Sequence, residues 1–358
     1  MTGRHLVIMA AGTGGHIFPG LAVAREVQRR GWSVSWLGTR TGMENRLVPP
    51  TGITLDTIAF AGLRGKGPVG ALTGGLRLLK AFWDCLQILR RRGAHAVLGM
   101  GGYVCFPGGL MASLLGKPLV LVNADASLLL STRSLLPVAD AVAFGFDGEA
   151  AQRTKHAAVT GNPVRAEIEA IAAPAERYAG RGGPLKLLVV GGSLGAKVLN
   201  DTVPAALSQI EPARRPRVVH QSGLAHRDAV HGAYATAGVE AEVVPFIDDM
   251  PARLASCDLI VCRAGAITVS ELCAAGVASV LVPLIVSTTA HQRDNAEFMA
   301  QHGAARHLPQ TELNAQALAA LLGQLDRAAL QAMAEKARAL ARPQASARVA
   351  DLIEGLAA

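Results

Sequence analysis

The chain has 358 residues, a length typical of two ordinary domains. Half of the residues are hydrophobic, so the chain can bury a large core and is not disordered in bulk. Its 39 glycines and 18 prolines follow no Gly-X-Y period, which excludes a collagen-like protein. Five cysteines without CxxC spacing predict reduced thiols and a cytoplasmic location, rather than a zinc ribbon or a disulfide scaffold.

The positive charge is concentrated in the first half of the chain. Residues 1–163 hold 17 Lys and Arg against 8 Asp and Glu, whereas residues 164–358 hold 18 against 19. We therefore expect an anionic partner for the first half. RNA- and DNA-binding signatures are missing, so we expect phosphate groups or lipid headgroups and no nucleic acid.

Strands and helices alternate through the first half. The pattern predicts strands His5–Ala10, Ser33–Leu37, Ala96–Leu98, Leu119–Val122 and Ala141–Phe144, with helices at about Pro19–Arg30 and Val69–Arg92. Short apolar strands joined by helices are typical of a parallel sheet covered on both faces. The uncharged stretch Ala96–Gly116 has the length of a transmembrane helix, but its six glycines and Pro107 favour strand, turn and buried helix.

The same pattern restarts in the second half. It predicts strands Leu185–Val190, Val218–His220, Glu242–Val244, Leu259–Val261 and Ser279–Val282, with helices Lys197–Ser208 and Gln344–Leu356. Two strand–glycine loop–helix starts predict an α/β protein of two doubly wound domains that face a central cleft. We assign residues 1–163 to an N-terminal domain and 164–342 to a C-terminal domain, and we expect residues 343–358 to pack back towards the first.

Glycine-rich turns follow three of the predicted strands. They read AGTGGH at residues 11–16, GMGGY at 99–103 and GGSLGA at 191–196. Glycine lets the backbone turn tightly and approach a ligand, and amides at a helix start attract anions. Each turn alone is compatible with simple turn chemistry, but the three together favour two anionic ligands. The first loop is neither a dinucleotide fingerprint nor a Walker A motif.

Two titratable residues lie beside such turns. His16 begins a helix, where its imidazole suits proton abstraction from a hydroxyl, although capping the helix or binding a phosphate explains it equally well. Glu271 ends the segment CRAGAITVSE of residues 262–271, one turn into a helix, where it can accept two ribose hydroxyls. An acid in the first turn of a helix is also common for purely structural reasons.

Together these segments resemble the MurG family. The motifs GTGGHIFPGLAVA, WLGT, GLRGKG, GMGGYVCFPGG, TGNPVR, VVGGSLGA, HQSG, FIDDM, CRAGAITVSE and AHQRDNA occur in the family's order and cover nearly the whole chain. The resemblance implies the GT-B fold of two Rossmann-like domains. It also implies an inverting transfer of N-acetylglucosamine (GlcNAc) from UDP-GlcNAc to the C4 hydroxyl of N-acetylmuramic acid (MurNAc) in lipid I. The product would be lipid II, the precursor used in peptidoglycan synthesis, cell-wall biogenesis and cell division.

The resemblance also implies a set of site residues. The donor UDP-GlcNAc would contact Arg165 and Ser193 near the diphosphate, the Ile247 backbone at uracil, Glu271 at ribose and Gln292 at the sugar hydroxyls. The phosphates would be wrapped by Ala266, Ile267, Thr268, Val269 and Ser270. From the acceptor side, Thr13, Gly14 and Gly15 would line the cleft, with His16 and Tyr103 near the reacting sugars.

The chain departs from the family's pattern where most members read HEQN. Here the segment is Val122-Asn123-Ala124-Asp125, so Asp125 replaces a sugar-binding Asn and Asn123 replaces a Glu sometimes suspected in catalysis. The departure favours His16 as the general base, with Asp125 as the second choice.

The reaction implied by the resemblance sets further expectations. No metal or cofactor is required, because helix N-termini can meet the charge of departing UDP, while stimulation by Mg²⁺ is left open. The partners would be UDP-GlcNAc, lipid I and an anionic membrane surface, and other peptidoglycan-synthesis proteins are left open. The protein would be peripheral, on the cytoplasmic face of the cell inner membrane.

A candidate membrane contact lies in the helix Val69–Arg92. Its apolar stripe and neighbouring basic residues are Leu72, Leu76, Arg77, Leu79, Lys80, Phe82 and Trp83. Most of such a stripe ordinarily packs on a core, and its outer part would dock on anionic lipids.

Two other functions are considered. A nicotinamide-dependent dehydrogenase is disfavoured, because no ribose-binding acid stands at the required distance from the first loop. A non-catalytic, membrane-bound nucleotide-sugar-binding subunit is kept open by the altered residues 122–125.

Overall fold

A computed structural model describes residues 3–12, 14–60, 68–284 and 290–358, apart from the side chains of residues 68–73. The roles predicted for Thr13 and for the Leu72 side chain therefore lie outside the described residues. The chain divides into an N-terminal unit, Met1–Pro163 with Gln344–Ala358, and a C-terminal unit, Val164–Pro343.

The N-terminal unit is built on a seven-stranded parallel sheet. Its strands are β1 His5–Ala10, β2 Ser33–Thr39, β3 Thr54–Ile58, β4 Ala96–Gly101, β5 Leu119–Asn123, β6 Ala141–Phe144 and β7 Ala157–Val159. Its helices before the boundary are α1 Gly14–Arg29, α2 Glu44–Leu47, α3 Pro68–Arg92, α4 Cys105–Leu114, α5 Leu130–Leu135 and α6 Glu149–Gln152. The strand order is β3-β2-β1-β4-β5-β6-β7, so the winding direction changes between β1 and β4. Ligands of such sheets bind beyond the carboxyl ends of the strands at that point.

The C-terminal unit repeats this architecture with six parallel strands. They are β8 Lys186–Val190, β9 Arg217–Gln221, β10 Ala241–Val244, β11 Leu259–Cys262, β12 Ser279–Leu281 and β13 Arg306–His307. The helices are α7 Ala166–Glu169, α8 Pro174–Tyr178, α9 Lys197–Ser208, α10 Arg227–Thr236, α11 Met250–Ser256, α12 Ala266–Ala275, α13 His291–Gln301, α14 Ala315–Gly323 and α15 Arg327–Ala339. The order β10-β9-β8-β11-β12-β13 changes direction between β8 and β11. The predicted pair of doubly wound α/β units is confirmed.

The last helix, α16 Ala345–Leu356, packs on the N-terminal unit. Its residues Val349, Ala350 and Ile353 are fully buried in a core shared with α1 and β1. At the rim of this contact, Arg30 pairs with Asp351 at 2.6 Å and with Glu354. The helix therefore belongs to the fold of the N-terminal unit, although 180 residues of the other unit precede it.

One predicted bound was wrong, and the stripe of α3 is largely exposed. Helix α1 begins at Gly14 and not at Pro19, so His16 lies in its first turn. In α3 the side chains of three members of the apolar stripe, Leu76, Leu79 and Trp83, are 62%, 65% and 60% exposed. The core face of α3 is made instead by Ala81, Cys85, Ile88 and Leu89.

The uncharged segment 96–116 folds as predicted. It forms β4, a glycine turn and α4, and both elements are largely buried. Within the described ranges, no helix is both long and apolar enough to cross a membrane.

Candidate active site

The first glycine loop follows β1, next to the point where the strand order changes direction between β1 and β4. The Ala11 amide donates to the Gly101 carbonyl at the end of β4, at 3.3 Å. Gly12 has φ +99°, a conformation that favours glycine. This loop therefore joins the carboxyl ends of the two central strands, where the sheet topology predicts a ligand.

His16 lies beside this loop and is partly buried. Its Nδ1 lies 3.4 Å from the Ala11 carbonyl oxygen, which can only accept a hydrogen bond, so the neutral ring carries its proton on Nδ1. The other nitrogen, Nε2, faces Gly101, because a Cβ on Gly101 would lie 2.8 Å from it. The lone pair of Nε2 is thus the one that can take a proton.

The pKa of His16 is lowered from its ordinary value of 6.5. Burial is the largest cause, and it is opposed by the hydrogen bond to Ala11 and by the negative charge of Asp125. The imidazole is therefore neutral at pH 7, the state that a general base requires.

Tyr103 and Asp125 lie at the carboxyl ends of the two neighbouring strands, β4 and β5. Tyr103 is 53% exposed and Asp125 is half-buried. Asn123, which stands where the family has its Glu, is fully buried. Its side-chain amide donates to the carbonyls of Asp125 and Ser127 and accepts from Leu129 N–H at 2.9 Å. The side chain of Asn123 therefore fixes the backbone of the loop that carries Asp125.

In the C-terminal unit, the GGSLGA loop packs backbone to backbone against the turn that follows β9. A Cβ on Gly195 would overlap the Ser222 carbonyl, and a Cβ on Gly223 would overlap that of Leu194. Both glycines have positive φ. This contact leaves Ser193 exposed at the end of β8, where its hydroxyl can meet a ligand.

Gln221, the last residue of β9, connects the loops after the strands on its two sides. Its amide donates to Gly192 O at 2.8 Å and accepts from Ile247 N–H at 2.9 Å. The backbone of Ile247 is thus fixed relative to the glycine loop. Gln221 lies within the HQSG motif, and no role was predicted for it from the sequence.

A buried polar network supports the same turn from behind. His220 contacts Tyr234 OH at 2.9 Å through Nδ1 and the Asn200 side chain at 3.1 Å through Nε2. Asn200 in turn donates to the Ser222 carbonyl. Burial lowers the pKa of His220 to about 4, so it is neutral and has a structural role.

The helix α12 begins at the carboxyl end of β11. The first intrahelical bond is donated by Val269 N–H to the Gly265 carbonyl, so the amides of Ala266, Ile267 and Thr268 precede it and are suited to phosphate oxygens. Asn295 donates to the Ala264 carbonyl at 3.0 Å and holds the turn before the helix. Val269 and Ser270 are buried, whereas Ala266, Ile267 and Thr268 are partly exposed.

Arg165 and Glu271 are brought together by the fold. Arg165 donates to Glu271 Oε1 at 2.9–3.0 Å, and the Glu271 side chain is 16% exposed. Burial raises the pKa of Glu271, while the charge of Arg165 and its hydrogen bond lower it. Arg165 thus favours the ionised form of a partly buried carboxylate, which can accept hydroxyl groups. Gln292, at the start of α13, accepts from the Leu284 N–H at 2.9 Å.

The chain matches two family models. They are the glycosyltransferase family 28 N-terminal domain, over residues 6–144, and its C-terminal domain, over residues 186–355. The chain is 40% identical in sequence to MurG from Acinetobacter baumannii, and its structure matches the crystal structure of that protein with a TM-score of 0.87. The match covers 98% of this chain and 99% of that chain. The chain has the GT-B fold.

Curated relatives extend over the whole chain. Proteins named UDP-N-acetylglucosamine--N-acetylmuramyl-(pentapeptide) pyrophosphoryl-undecaprenol N-acetylglucosamine transferase match it in Methylibium petroleiphilum and Chromobacterium violaceum. The first is 72% identical, covering 99% of this chain and 98% of the relative, and the second is 64% identical, covering 100% and 99%. This chain therefore belongs to the MurG family.

Proposed function

We propose that this chain transfers GlcNAc from UDP-GlcNAc to lipid I and so forms lipid II for peptidoglycan synthesis. The observation that carries the proposal is the 72% identity, along nearly its whole length, to a transferase of that name. In the reaction the C4 oxygen of MurNAc forms a bond to the anomeric carbon of GlcNAc. The bond from that carbon to the β-phosphate oxygen breaks, UDP keeps the electron pair, and the anomeric configuration inverts.

The donor contacts assigned to the C-terminal unit fit its geometry. The exposed Ser193 and the N-terminal amides of α12 offer donors to the diphosphate, and they also meet the negative charge that grows on leaving UDP. Glu271, whose ionised form Arg165 favours, accepts the ribose hydroxyls. The bond from Ile247 to Gln221 fixes the backbone segment assigned to uracil.

His16 is the general base of this proposal. Its Nε2 lone pair takes the proton of the C4 hydroxyl, and the imidazolium later releases it to solvent. The charge of Asp125 raises the pKa of His16 and therefore stabilises the imidazolium. Such a base contributes about 10²–10⁴ in rate. Tyr103, exposed at the end of β4, and Gly14 and Gly15, at the start of α1, are assigned to the sugars at the acceptor side.

The exposed stripe of α3 is the proposed membrane contact. Leu76, Leu79 and Trp83 recur at helical spacing, and Arg77 and Lys80 on the same turns are exposed. Apolar side chains inserted among headgroups, with cations beside anionic phosphates, are the pattern of an interfacial helix. The contact places the protein on the surface that carries its lipid substrate.

The test of the transfer is release of UDP from UDP-GlcNAc, coupled to a lipid I analogue. We expect UDP release that requires the analogue, together with a product heavier by one GlcNAc. His16→Ala should lower kcat about 10²- to 10⁴-fold at unchanged affinity for UDP. Binding of UDP-GlcNAc without any transfer would instead support a nucleotide-sugar-binding subunit, and near-normal turnover of His16→Ala would exclude His16 as the base.

A further inference from the structure

A carboxylate outside the assigned site holds the first glycine loop. Glu44 is the first residue of α2, and its side chain is fully buried. Its Oε2 accepts the Gly12 N–H at 3.1 Å, and its Oε1 accepts both the N–H and the hydroxyl of Thr39 at 2.7 Å. One side chain therefore joins the end of β2 to the loop that follows β1.

The segment around Glu44 is shaped to accept this carboxylate. A Cβ on Gly38 would lie 2.6 Å from Glu44 Cγ, and a Cβ on Gly42 would overlap the carboxylate itself. The Met43 N–H donates to the Gly12 carbonyl at 3.2 Å, so both polar backbone groups of Gly12 are bound by this segment. The position of the Glu44 side chain thus requires glycine at both residue 38 and residue 42.

The charge of Glu44 is unusual for its surroundings. Within the described part of the chain, this buried carboxylate makes no ion pair and is bound only by N–H and O–H donors. An unpaired charge in a protein interior is costly, and apolar packing would ordinarily stabilise a fold better. A carboxylate can accept three directed hydrogen bonds, whereas an apolar side chain accepts none.

The loop held by Glu44 also sets the orientation of His16. Gly12 follows Ala11, whose carbonyl accepts from His16 Nδ1 and whose N–H is bound by Gly101. The Ala11–Gly12 peptide segment is therefore fixed by β4 on one side and by Glu44 on the other. Displacement of Gly12 would move the carbonyl that selects the reactive tautomer of the imidazole.

We infer that Glu44 is a positioning residue for the transfer reaction, which fixes the Ala11–Gly12 backbone and through it His16. This inference rests on the proposed role of His16. Glu44 does not touch the substrates in this scheme, and its contribution is made through the loop. Misplacement of a reacting group by about 1 Å can cost 100-fold in rate, so a loosened loop is expected to affect kcat.

The test compares Glu44→Gln with wild type and with Glu149→Gln, which changes an acid of the same unit whose side chain is 71% exposed. Glutamine keeps the shape, but its NH₂ group faces an N–H donor and loses one accepted bond. We expect kcat with the lipid I analogue to fall about 10- to 100-fold, while Kd for UDP measured by calorimetry stays within twofold. Glu149→Gln should match wild type in both.

Two further measurements separate positioning from a loss of folding. Hydrogen exchange of a peptide spanning residues 6–17 should speed up in Glu44→Gln, while the Tm and the exchange of the C-terminal unit are retained. If Glu44→Gln does not fold, Thr39→Val removes one of the three donors and should give a smaller fall in kcat.

The outcomes distinguish this inference from the proposed function. If Glu44→Gln is stable and has wild-type kcat, the role of Glu44 is overturned while transfer itself stands. If Glu44→Gln does not fold, the same conclusion follows from a stable Thr39→Val with wild-type kcat. A wild-type protein that binds UDP-GlcNAc and transfers nothing would overturn the proposed function, on which the inference rests.

Discussion

The imidazole of His16 occupies the space that a side chain on Gly101 would take. A Cβ on Gly101 would lie 2.7 Å from His16 Cδ2 and 2.8 Å from Nε2, and the backbone of Gly101 has φ +122°. The glycine at the end of β4 is therefore needed both for its own conformation and for the position of the ring. In the sequence the GMGGY motif looks like a phosphate-binding loop. In the structure its Gly101 packs against the imidazole of the candidate base.

Gly101→Ala is expected to inactivate the enzyme through His16. The new methyl group would push the ring aside, so kcat should fall about 100-fold, while Kd for UDP remains unchanged. A strained φ also costs about 1–3 kcal/mol of stability. Gly31→Ala is the matched control, because Gly31 has φ +88° and nothing within 4 Å of its Cβ position. Equal loss of kcat in both variants would assign the effect to backbone strain alone.

The acid limb of the pH–rate profile should report His16. Burial places its pKa below 6.5, so kcat/KM should be lost as the pH falls through a value lower than 6.5. The charge of Asp125 raises that pKa. In Asp125→Asn the His16 pKa therefore falls, and the acid limb moves to lower pH with most of the rate at pH 8 retained. A drop of about 10²- to 10⁴-fold at pH 8 would instead make Asp125 the base.

Arg165→Met should make UDP binding sensitive to acid. Arg165 opposes the burial that raises the pKa of Glu271, so its loss moves that pKa further upward. As the pH falls, Glu271 is then protonated at a higher pH than in wild type and accepts ribose hydroxyls less well. Calorimetry between pH 8 and pH 5 should show an affinity that begins to weaken at a higher pH in Arg165→Met than in wild type. Arg153→Met, which removes an exposed arginine paired with Glu149, is the control. Parallel pH curves for all three proteins would contradict the pairing.

Gln221→Met should weaken the donor site without changing the chemistry. Methionine keeps the length of the side chain but leaves Gly192 O and Ile247 N–H without their partner, and each buried unpaired group costs about 1–3 kcal/mol. We expect Kd for UDP to rise about tenfold, with kcat at saturating UDP-GlcNAc near wild type. Gln209→Met, at an exposed position after α9, should leave Kd unchanged. Wild-type affinity in a stable Gln221→Met would show that the bridge does not order the site.

The central strands of both sheets were predictable because they are buried on both faces. Strands β1 and β6 have the predicted bounds, as continuous apolar runs require. The strands β3, β7 and β13 were not predicted, because they are short, lie at or next to sheet edges and carry polar or exposed residues.

The start of α1 shows why a local rule failed. The helix was predicted to begin at about Pro19, and proline is favoured at the first helical position. In the structure Pro19 is the sixth residue of α1, and the helix begins five residues earlier, at Gly14. Pro19 lacks the N–H that the Gly15 carbonyl would accept, so that carbonyl in the first turn has no partner at Pro19.

The candidate site was predictable where one segment carries it, and not where distant segments meet. The glycine loops, His16 and Glu271 could be named because turn, helix start and side chain are consecutive. Glu44 and Gln221 gave no local signal, since their partners follow other strands and only the sheet order brings them together.

The exposed stripe of α3 predicts binding to anionic vesicles. Wild-type protein should pellet with phosphatidylglycerol-rich vesicles and remain in solution with neutral ones. Reversal of Arg77 and Lys80 to Glu should weaken binding strongly, since each basic residue near the surface contributes about 1 kcal/mol. Reversal of Arg153 and Lys155, both exposed, makes the same change in net charge elsewhere on the unit and should have a small effect. A double variant, Leu79→Gln with Trp83→Gln, should pellet less with the anionic vesicles while its Kd for UDP stays unchanged. Binding that survives both α3 variants would place the membrane contact on another surface.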